Sequence, residues 1–381
     1  MGRKVEQRSE RPQHKMLDRD YMDRALQLAE RGRGRTSPNP LVGAVVVSPD
    51  GVVVGQGYHR RVGEAHAEII ALDEAGDRAR GATLYCTLEP CCHLGRTGPC
   101  VARIVEAGVA RVVAAVEDPN PLVQGKGFAH LRAHGVAVDV GIGADAARRL
   151  NQPFFTLMLE RRPFVVLKAA ISRDGYIAEA PGVRTTLTSS DADRHAHLFR
   201  AEVDAIGIGS ETLVVDDPLL TPRGAFRERP LTRVVFDRRL RTPADAAILS
   251  TLSAGPVIIM TSAESARRED LRRPLEAAGA EVDVSEGTTF RAALERLAAR
   301  GVESLLLEGG AEVHAAAWDE DLVDLVSIYV CPKTIGPGGV PFLGGRPFDP
   351  ARLFERRQEQ LGPDTLIEGY TLIEGYVHRP R

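Results

Sequence analysis

The chain is short of cysteine, of long apolar runs and of net charge. Five cysteines in 381 residues are too few for a disulfide framework. No stretch approaches the roughly 18 apolar residues that a membrane-spanning helix needs, and a formal net charge of −3 gives no overall attraction to nucleic acid or anionic lipid. We therefore expect no membrane and no nucleic-acid partner, and a small molecule as the substrate.

The cysteines that are present are unevenly distributed. Cys86, Cys91, Cys92 and Cys100 are crowded into one region, whereas Cys331 stands alone. This pattern favours metal binding in a reducing compartment over disulfide bonds. The N-terminal residues are polar and lack the apolar segment of a secretory signal. Together these features predict a cytoplasmic protein.

The length and the order of the apolar segments predict two domains of the α/β class. Roughly 100–200 residues per domain is usual, and the chain exceeds the size at which a single core keeps growing. Apolar segments with helical spacing alternate with short strands in both halves. We place a polar extension at 1–18, a first domain at 19–150 and a second domain at 151–381.

The first half contains a cluster of metal-ligating residue types. The triplet His66-Ala67-Glu68 is followed by Cys91 and Cys100, each directly after a proline. One imidazole and two thiolates suit zinc, and a three-ligand set leaves the fourth tetrahedral position open for water, as in catalytic sites. A helix predicted from Ala65 carries His66 and Glu68 on its first turn, so that Glu68 lies over the open position without binding the metal.

This H-x-E and P-C layout is the signature of zinc deaminases, in which the glutamate carries protons. Eight residues separate the two cysteines here instead of two, so the match is to the chemistry more than to the spacing. Cys91 is preferred to Cys92 as the ligand because it directly follows Pro90, but the adjacent thiol leaves this assignment open. Inert buried thiols or a disulfide are the simpler alternative.

Two glycine-containing strand ends in the second half are candidates for anion binding. Gly207-Ile208-Gly209 follows a predicted strand, and Gly309-Gly310 joins a strand to a helix whose free N–H groups can hold phosphate. Neither matches the G-x-G-x-x-G fingerprint, so a dinucleotide site and ordinary turns remain alternatives. Strands are predicted near residues 165–169, 205–208, 233–236, 256–260, 304–307 and 325–330.

The C-terminal region contains a tandem repeat. The hexapeptide Thr365–Tyr370 is copied at once as Thr371–Tyr376. Because six is an even number, a strand built from the repeat keeps the same side chains on each face, so that the copy could extend a β-ribbon. A frayed tail is the alternative.

With these motifs, the chain resembles the bifunctional deaminase/reductases of riboflavin biosynthesis from Asp20 to Tyr376. The resemblance implies a cytidine-deaminase-like three-layer N-terminal domain followed by a dihydrofolate-reductase-like α/β C-terminal domain. In the first half it is carried by the metal motif and by Pro38-Asn39-Pro40, Gly57-Tyr58-His59, Gly95-Arg96-Thr97 and Asp118-Pro119-Asn120-Pro121. In the second half it is carried by Lys168–Gly175, Arg200-Ala201, Gly209–Thr212, Asp216–Arg223 and Glu308-Gly309-Gly310.

The resemblance also implies roles for individual residues. Zinc would be bound by His66, Cys91 and Cys100, and Glu68 would carry protons. Contacts to the deaminase substrate are implied for Asn39, His59 and His93. Contacts to NADPH are implied for Ile171, Thr186, Thr188, Thr212, Asp216, Gly310 and Ala311. Contacts to the reductase substrate are implied for Lys168, Arg184, Arg200, Leu220, Arg223 and Glu308.

Three positions depart from the family pattern. Cys92 stands where serine is usual, and Arg173 replaces the leucine before Asp174. Thr186 stands where a tryptophan commonly packs next to the cofactor, and losing such a buried contact costs about 1.5–3 kcal/mol. The resemblance therefore predicts weaker cofactor binding at this position.

The reaction implied by the resemblance has two steps. A phosphorylated pyrimidine, 2,5-diamino-6-(5-phosphoribosylamino)pyrimidin-4(3H)-one, is deaminated by hydrolysis, and its ribosyl group is then reduced by NADPH. Two arginines in the reductase set suit the phosphate, because a guanidinium binds phosphate bidentately. A pyrimidine deaminase with an idle second half is the nearest alternative. A nucleic-acid deaminase is disfavoured by the balanced charge, and a homo-oligomer is expected.

Overall fold

The protein is described by a computed structural model that covers residues 17–93, 98–285, 287 and 289–370. The chain divides into two compact units. One unit spans Leu41–Leu150 together with the chain up to Gly32, and the other spans Arg33–Pro40 and the chain from Asn151 onward. Within the described ranges, no helix is both long and apolar enough to cross a membrane. Most of the predicted polar extension, residues 1–16, lies outside the described residues.

The first unit is built on a five-stranded mixed sheet in the order β2-β1-β3-β4-β5. β1 is antiparallel to β2 and to β3, whereas β3, β4 and β5 run parallel. The strands are β1 (Gly43–Val47), β2 (Val53–Tyr58), β3 (Thr83–Cys86), β4 (Arg111–Ala114) and β5 (Ala137–Val140). The helices are α1 (Asp18–Glu30), α2 (Ala67–Ala75), α3 (Cys100–Glu106), α4 (Lys126–Ala133) and α5 (Ala144–Leu150), with a 3₁₀ turn at Gly76–Ala79.

Helix α2 lies directly on β2 because both elements have small side chains at the contact. A Cβ atom on Gly55 would come 2.1 Å from the carbonyl oxygen of Ala71, and one on Gly57 would come 2.5 Å from that of Ala67. Both distances are far below van der Waals contact, so only glycine fits at these two positions of the strand. The contact fixes where the first turn of α2 begins, and therefore where His66 and Glu68 lie.

The second unit is built on a nine-stranded sheet in the order β11-β10-β9-β8-β12-β6-β13-β16-β15. Its first seven strands in that order are parallel, and β16 and β15 are antiparallel additions at one edge. These nine strands are β6 (Phe164–Ile171), β8 (Ala205–Gly209), β9 (Thr232–Phe236), β10 (Val257–Ser262), β11 (Glu281–Ser285), β12 (Ser304–Gly309), β13 (Leu325–Val330), β15 (Phe354–Leu361) and β16 (Asp364–Tyr370). A separate pair is formed by β7 (Tyr176–Ala178) and β14 (Val340–Pro341).

Helices cover both faces of this parallel sheet. They are α6 (Gln152–Glu160), α7 (Ser190–Glu202), α8 (Ser210–Asp216), α9 (Ala263–Ala266), α10 (Glu269–Ala277), α11 (Phe290–Ala299) and α12 (Ala311–Asp319), with 3₁₀ segments at Ala247–Ala254, Phe342–Gly345 and Pro350–Arg352. Val165 and Leu167 of β6 belong to one apolar cluster, whereas Phe164 and Val166 belong to another on the opposite face. Strands buried on both faces read as continuous apolar runs, and this is why the sequence reveals them.

The predicted α/β class is confirmed, and the six strands predicted in the second half are all present. One local prediction was wrong: α2 begins at Ala67, and His66 precedes it as the N-cap with extended backbone angles (φ −71°, ψ 160°). The first copy of the repeat forms most of β16, whereas the second copy, Thr371–Tyr376, lies outside the described residues.

A buried ion pair joins the beginnings of β6 and β13. Arg162 donates from Nη1 and Nη2 to the two carboxylate oxygens of Asp324 at 2.6 and 2.9 Å, and one of these oxygens also accepts the Val165 N–H at 2.7 Å. The side chains are 1% and 0% exposed. The pair therefore aligns two neighbouring strands at their N-terminal ends.

Asp324→Asn should lower the free energy of unfolding of the second unit by about 1.5–3 kcal/mol, because it weakens the hydrogen bonds of the buried Arg162 guanidinium, which keeps Glu160 as its charged partner. Urea unfolding can be followed by the fluorescence of Trp318, which is the single tryptophan of the chain and lies in α12. The matched double variant Arg162→Met/Asp324→Leu should recover most of the loss. A change below about 1 kcal/mol in Asp324→Asn, the level of an exposed ion pair, would contradict this account.

Candidate active sites

Three metal-ligating side chains converge in the first unit. Nδ1 of His66 lies 3.3 Å from Sγ of Cys100 and 3.4 Å from Sγ of Cys91. The ligand atoms of the three residues all lie within 4.8 Å of one another. His66 precedes α2, Cys91 follows β3, and Cys100 opens α3. The start of two helices and the end of one strand thus place the three donors at one point.

The donor set fits zinc. Zinc–nitrogen and zinc–sulfur bonds of about 2.0–2.1 and 2.3 Å in tetrahedral geometry put ligand atoms about 3.6 Å apart, close to the observed separations. Within the ranges that the structure describes, no fourth histidine, cysteine or carboxylate completes the cluster. His66, Cys91 and Cys100 could therefore hold zinc with one position left for a water molecule or a substrate.

The protein prepares Cys91 as a thiolate. Hydrogen bonding from Cys100, against the opposing effect of burial, and hydrogen bonding from His66 lower the pKa of Cys91 to about 4. Part of this effect comes from the Cys100 backbone N–H at the start of α3, which donates to Sγ of Cys91 at 3.4 Å. Sharing a proton with Cys91, together with burial, raises the pKa of Cys100. A thiolate is the form that binds zinc.

Glu68 lies on the first turn of α2, beside the cluster and outside it. Its side chain is 3% exposed, and burial raises the pKa of its carboxyl group, as does the charge of Cys91 to a smaller extent. A carboxyl group with a raised pKa can accept and return a proton near neutral pH. The position beside the metal ligands is the one that a proton carrier needs.

Glu89 also lies in this region, and the sequence-based prediction gave it no role. Its carboxylate accepts three backbone N–H groups: those of Asp118 and Gly125 on one oxygen, at 3.2 and 3.0 Å, and that of Phe128 on the other, at 3.1 Å. It therefore ties the turn before Cys91 to the 118–125 loop and to α4. The sequence does contain a signal for this role, because Glu89 is an acidic residue between Leu88 and Pro90 just after the buried strand β3.

The histidines predicted to contact the deaminase substrate border the metal cluster. His59 is 3% exposed, and its ring packs edge-on against His66 with the ring centroids 5.4 Å apart. His93 follows the Cys91-Cys92 pair, and its Nδ1 atom is buried with no hydrogen-bond partner in the part of the chain that the structure describes. An orphaned polar atom of this kind fits a contact to a ligand.

Asn39 and Cys92, two further positions considered in the sequence analysis, are not part of the metal cluster. Asn39 lies in Arg33–Pro40, the segment that groups with the second unit, and its N–H donates to the Thr36 carbonyl at 2.8 Å. Its contact with the deaminase substrate stays a prediction. Sγ of Cys92 is directed at the Leu122 carbonyl oxygen at 3.8 Å and is not part of the metal cluster.

The second unit contains a cavity of about 1430 Å³ along the carboxyl ends of its parallel strands. This edge is where open α/β sheets bind ligands. Of the residues predicted to bind NADPH or the reductase substrate, all except Ile171 line it. Ile171 is buried at the end of β6, where it pairs with Val330 of β13. The lining residues from that prediction are Lys168, Arg184, Thr186, Thr188, Arg200, Thr212, Asp216, Leu220, Arg223, Glu308, Gly310 and Ala311.

The start of α12 forms a cradle at one wall of this cavity. A Cβ atom on Gly309 would come 2.9 Å from Cγ2 of Thr212, and Gly310 has a φ of +91°, which disfavours residues with a side chain. Gly309, Gly310 and Ala311 all line the cavity, so the beginning of α12 meets it at two residues that have no side chain. Such a terminus binds phosphate groups, so the cradle fits the pyrophosphate of NADPH.

Arg200 and Glu308 form a bidentate ion pair on the cavity wall. Arg200 donates from Nε and Nη2 to the two carboxylate oxygens at 2.7 and 2.6 Å, and from Nη1 to the Thr221 carbonyl at 3.3 Å. Burial alone would raise the pKa of Glu308, but the charges of Arg200 and Lys168 lower it to about 2. Glu308 is thus held ionised, and Arg200 has most of its donors in use within the protein.

Three other positively charged residues that line the cavity have side chains available to a ligand. Lys168, Arg184 and Arg223 have no side-chain hydrogen bond or ion pair to another residue of the described ranges. The far end of the cavity, at the carboxyl ends of β9 and β10, is also lined by residues that the sequence reasoning missed, because they lie in the loop after β9 or at the end of β10 without a recognisable pattern. They include Arg238, Arg239, Arg241 and Ser262.

Comparison with known proteins assigns both halves of the chain. The cytidine and deoxycytidylate deaminase zinc-binding region matches residues 15–116, and the RibD C-terminal domain matches residues 163–367. The riboflavin biosynthesis protein RibD of Aquifex aeolicus is 39% identical over 353 residues, which cover 92% of this chain and 98% of the relative. That of Synechocystis is 41% identical over 358 residues, covering 93% and 96%.

Solved structures agree over nearly the whole length. RibD of Acinetobacter baumannii superposes with a TM-score of 0.81 at 35% identity, covering 93% of this chain and 99% of that one. A diaminohydroxyphosphoribosylaminopyrimidine deaminase/5-amino-6-(5-phosphoribosylamino)uracil reductase from Thermotoga maritima has a TM-score of 0.80 at 31% identity, covering 93% and 98%.

These matches confirm the predictions of a deaminase-like fold followed by a reductase fold, of two activities and of zinc and NADPH as cofactors. The activities are a zinc-dependent deamination in the first half and an NADPH-dependent reduction in the second. The chain belongs to the RibD family of bifunctional deaminase/reductases of riboflavin biosynthesis.

Proposed function

We propose that the chain deaminates 2,5-diamino-6-(5-phosphoribosylamino)pyrimidin-4(3H)-one and then reduces the ribosyl group of the product with NADPH. The observation that carries the proposal is an open three-ligand cluster next to buried Glu68 in the same chain as a cavity that contains Lys168 and ionised Glu308. The substrates in the name of the Thermotoga maritima relative support the same assignment. Residues 19–150 are the proposed deaminase domain and residues 151–381 the proposed reductase domain.

The proposed deaminase site divides its work between metal ligands and a proton carrier. His66, Cys91 and Cys100 would hold zinc, and zinc bound there would supply a nucleophile at neutral pH by lowering the pKa of a water molecule. The Glu68 carboxylate takes the proton from the water and returns it to the departing amino group, so that ammonia leaves as oxygen replaces nitrogen on the ring. His59 and His93 orient the pyrimidine, and the proposal includes Asn39 among its contacts.

The proposed reductase site holds two charged molecules side by side. NADPH supplies the hydride. The N–H groups at the start of α12 and the residues Thr186, Thr188, Thr212 and Asp216 bind it, and Ile171 is retained in the proposal as an apolar support behind the cavity. Arg184 and Arg223, which have no ion pair within the described ranges, bind the substrate phosphate. Lys168, Leu220 and the Arg200–Glu308 pair hold the sugar.

The proposal also covers the cellular location, the kind of partner and the oligomeric state of the enzyme. A cytoplasmic location is consistent with the five cysteines, all of which are free thiols. The substrate is a small molecule, and nucleic acid is not part of the proposal. Assembly into a homo-oligomer stays a prediction.

Purified protein should contain about one zinc ion per chain, because the described residues form a single cluster of three ligand types. In elemental analysis, Cys91→Ser should lose most of this zinc, whereas the neighbouring variant Cys92→Ser should keep it. Both substitutions have the same size and chemistry, so that the pair controls for general damage. Loss of metal in Cys92→Ser alone would contradict the assignment of Cys91.

Glu68→Gln should reduce deamination at least about 100-fold while zinc content stays the same, since an amide cannot carry the proton but nearly preserves the shape. Product formation from the diaminopyrimidine substrate measures this loss. The matched control is Glu64→Gln, a nearby exposed glutamate, which should deaminate normally. Reduction of substrate that is already deaminated should survive in both variants. Near-normal deamination by Glu68→Gln would show that another group carries the proton.

A further inference from the structure

The ammonium group of Lys168 lies in the reductase cavity with an unusual neighbour. Its Nζ atom lies 5.3 Å from the centroid of the Tyr329 ring. No hydrogen bond or ion pair joins the ammonium group of Lys168 to any other residue in the described ranges, whereas both carboxylate oxygens of the nearby Glu308 accept from Arg200. All three N–H donors of the ammonium group are therefore left for a ligand.

The register of two strands explains this contact. In the parallel pair β6 and β13, Lys168 is opposite Ser327 and Ala170 is opposite Tyr329. Residues two apart in a strand lie on the same face, so Lys168 and Tyr329 are diagonal neighbours there. Diagonal neighbours are close enough for long and aromatic side chains to meet. Tyr329 itself is 0% exposed and lies behind the wall of the cavity.

The ring of Tyr329 is fixed on its other sides. It packs with Ala192 and Ala196 of α7 and with Leu366 of β16. Its hydroxyl group is 2.8 Å from Nδ1 of His195, which also lies on α7. Burial raises the pKa of the hydroxyl group, so the ring is neutral at physiological pH. The orientation of the ring face is thus determined by packing and by the hydrogen bonds of the hydroxyl group with His195 and Ser327.

We propose that Tyr329 is a positioning residue of the reductase, whose ring holds the Lys168 ammonium group at the substrate while His195 fixes the ring. A cation–π contact suits this purpose, because it attracts the charge without using any of the N–H donors. A carboxylate in the same place would accept some of them. The inference rests on the substrate function proposed for Lys168 and adds a residue that does not touch the substrate.

The test is a double-mutant cycle on substrate affinity. The dissociation constant of 5-amino-6-(5-phosphoribosylamino)uracil is measured by calorimetry without NADPH, so that no turnover occurs. Tyr329→Leu should weaken binding about three- to thirty-fold, the range of a desolvated cation–π contact. Tyr329→Phe keeps the ring face and loses only the hydrogen bonds of the hydroxyl group with His195 and Ser327, so it should weaken binding less than the leucine variant. In a Lys168→Met background, Tyr329→Leu should add less than about a twofold loss, because the group it positions is gone.

Leu366→Ala is the matched packing control. It opens space in the same apolar cluster but leaves the ring under Lys168, so substrate affinity should not change. Tyr329→Leu should also leave the affinity for NADPH and the rate of deamination unchanged.

Equal weakening by Tyr329→Leu with and without Lys168 would mean a structural role only and would overturn the inference, as would the same loss in Leu366→Ala. Coupling between Tyr329 and Lys168 in an enzyme that binds the substrate but does not oxidise NADPH would support the inference and contradict the proposed reduction. No binding by the wild-type protein would overturn both.

Discussion

Both sites depend on glycines that let a helix lie directly against the backbone of a neighbouring strand. In the first unit, β2 must present glycine where α2 crosses it, since a Cβ atom on Gly55 would lie 2.1 Å from the Ala71 carbonyl oxygen. In the second unit, Gly309 has no room for a Cβ atom because Thr212 of α8 lies against it. The missing side chains let α2 place His66 and Glu68 next to the cysteine ligand types in one case, and leave the beginning of α12 open to the cavity in the other.

The second common feature is the way in which buried charge is neutralised. Glu89 is neutralised by three backbone N–H groups, Asp324 by Arg162, and Glu308 by Arg200. Each is a carboxylate whose donors hold one segment of chain against another, and such hydrogen bonds offset the large cost of burying the charge. Lys168, Arg184 and Arg223 are not used in this way and line the reductase cavity.

The sequence predicted the parts of the molecule that depend on short-range patterns. The three residues of the metal cluster, Glu68 and the strands of the parallel sheet are all marked by short motifs or by apolar runs. Tyr329 could not be found in this way, because its contact with Lys168 depends on the pairing of β6 with β13, which are separated by more than 150 residues. The same holds for Glu89, whose partners are spread over the 118–128 region. The helix start at Ala67 was misjudged by two residues, because a histidine at the N-cap gives no capping signal.

The central claim is that one chain performs two successive reactions on a phosphorylated pyrimidine. The most direct test is incubation of the purified protein with the diaminopyrimidine substrate, with and without NADPH, followed by mass spectrometry of the products. The account predicts a product in which one amino group is replaced by oxygen when NADPH is absent, and the same product with two added hydrogens when NADPH is present. A deaminated product that is never reduced, or a substrate that keeps its amino group, would contradict it.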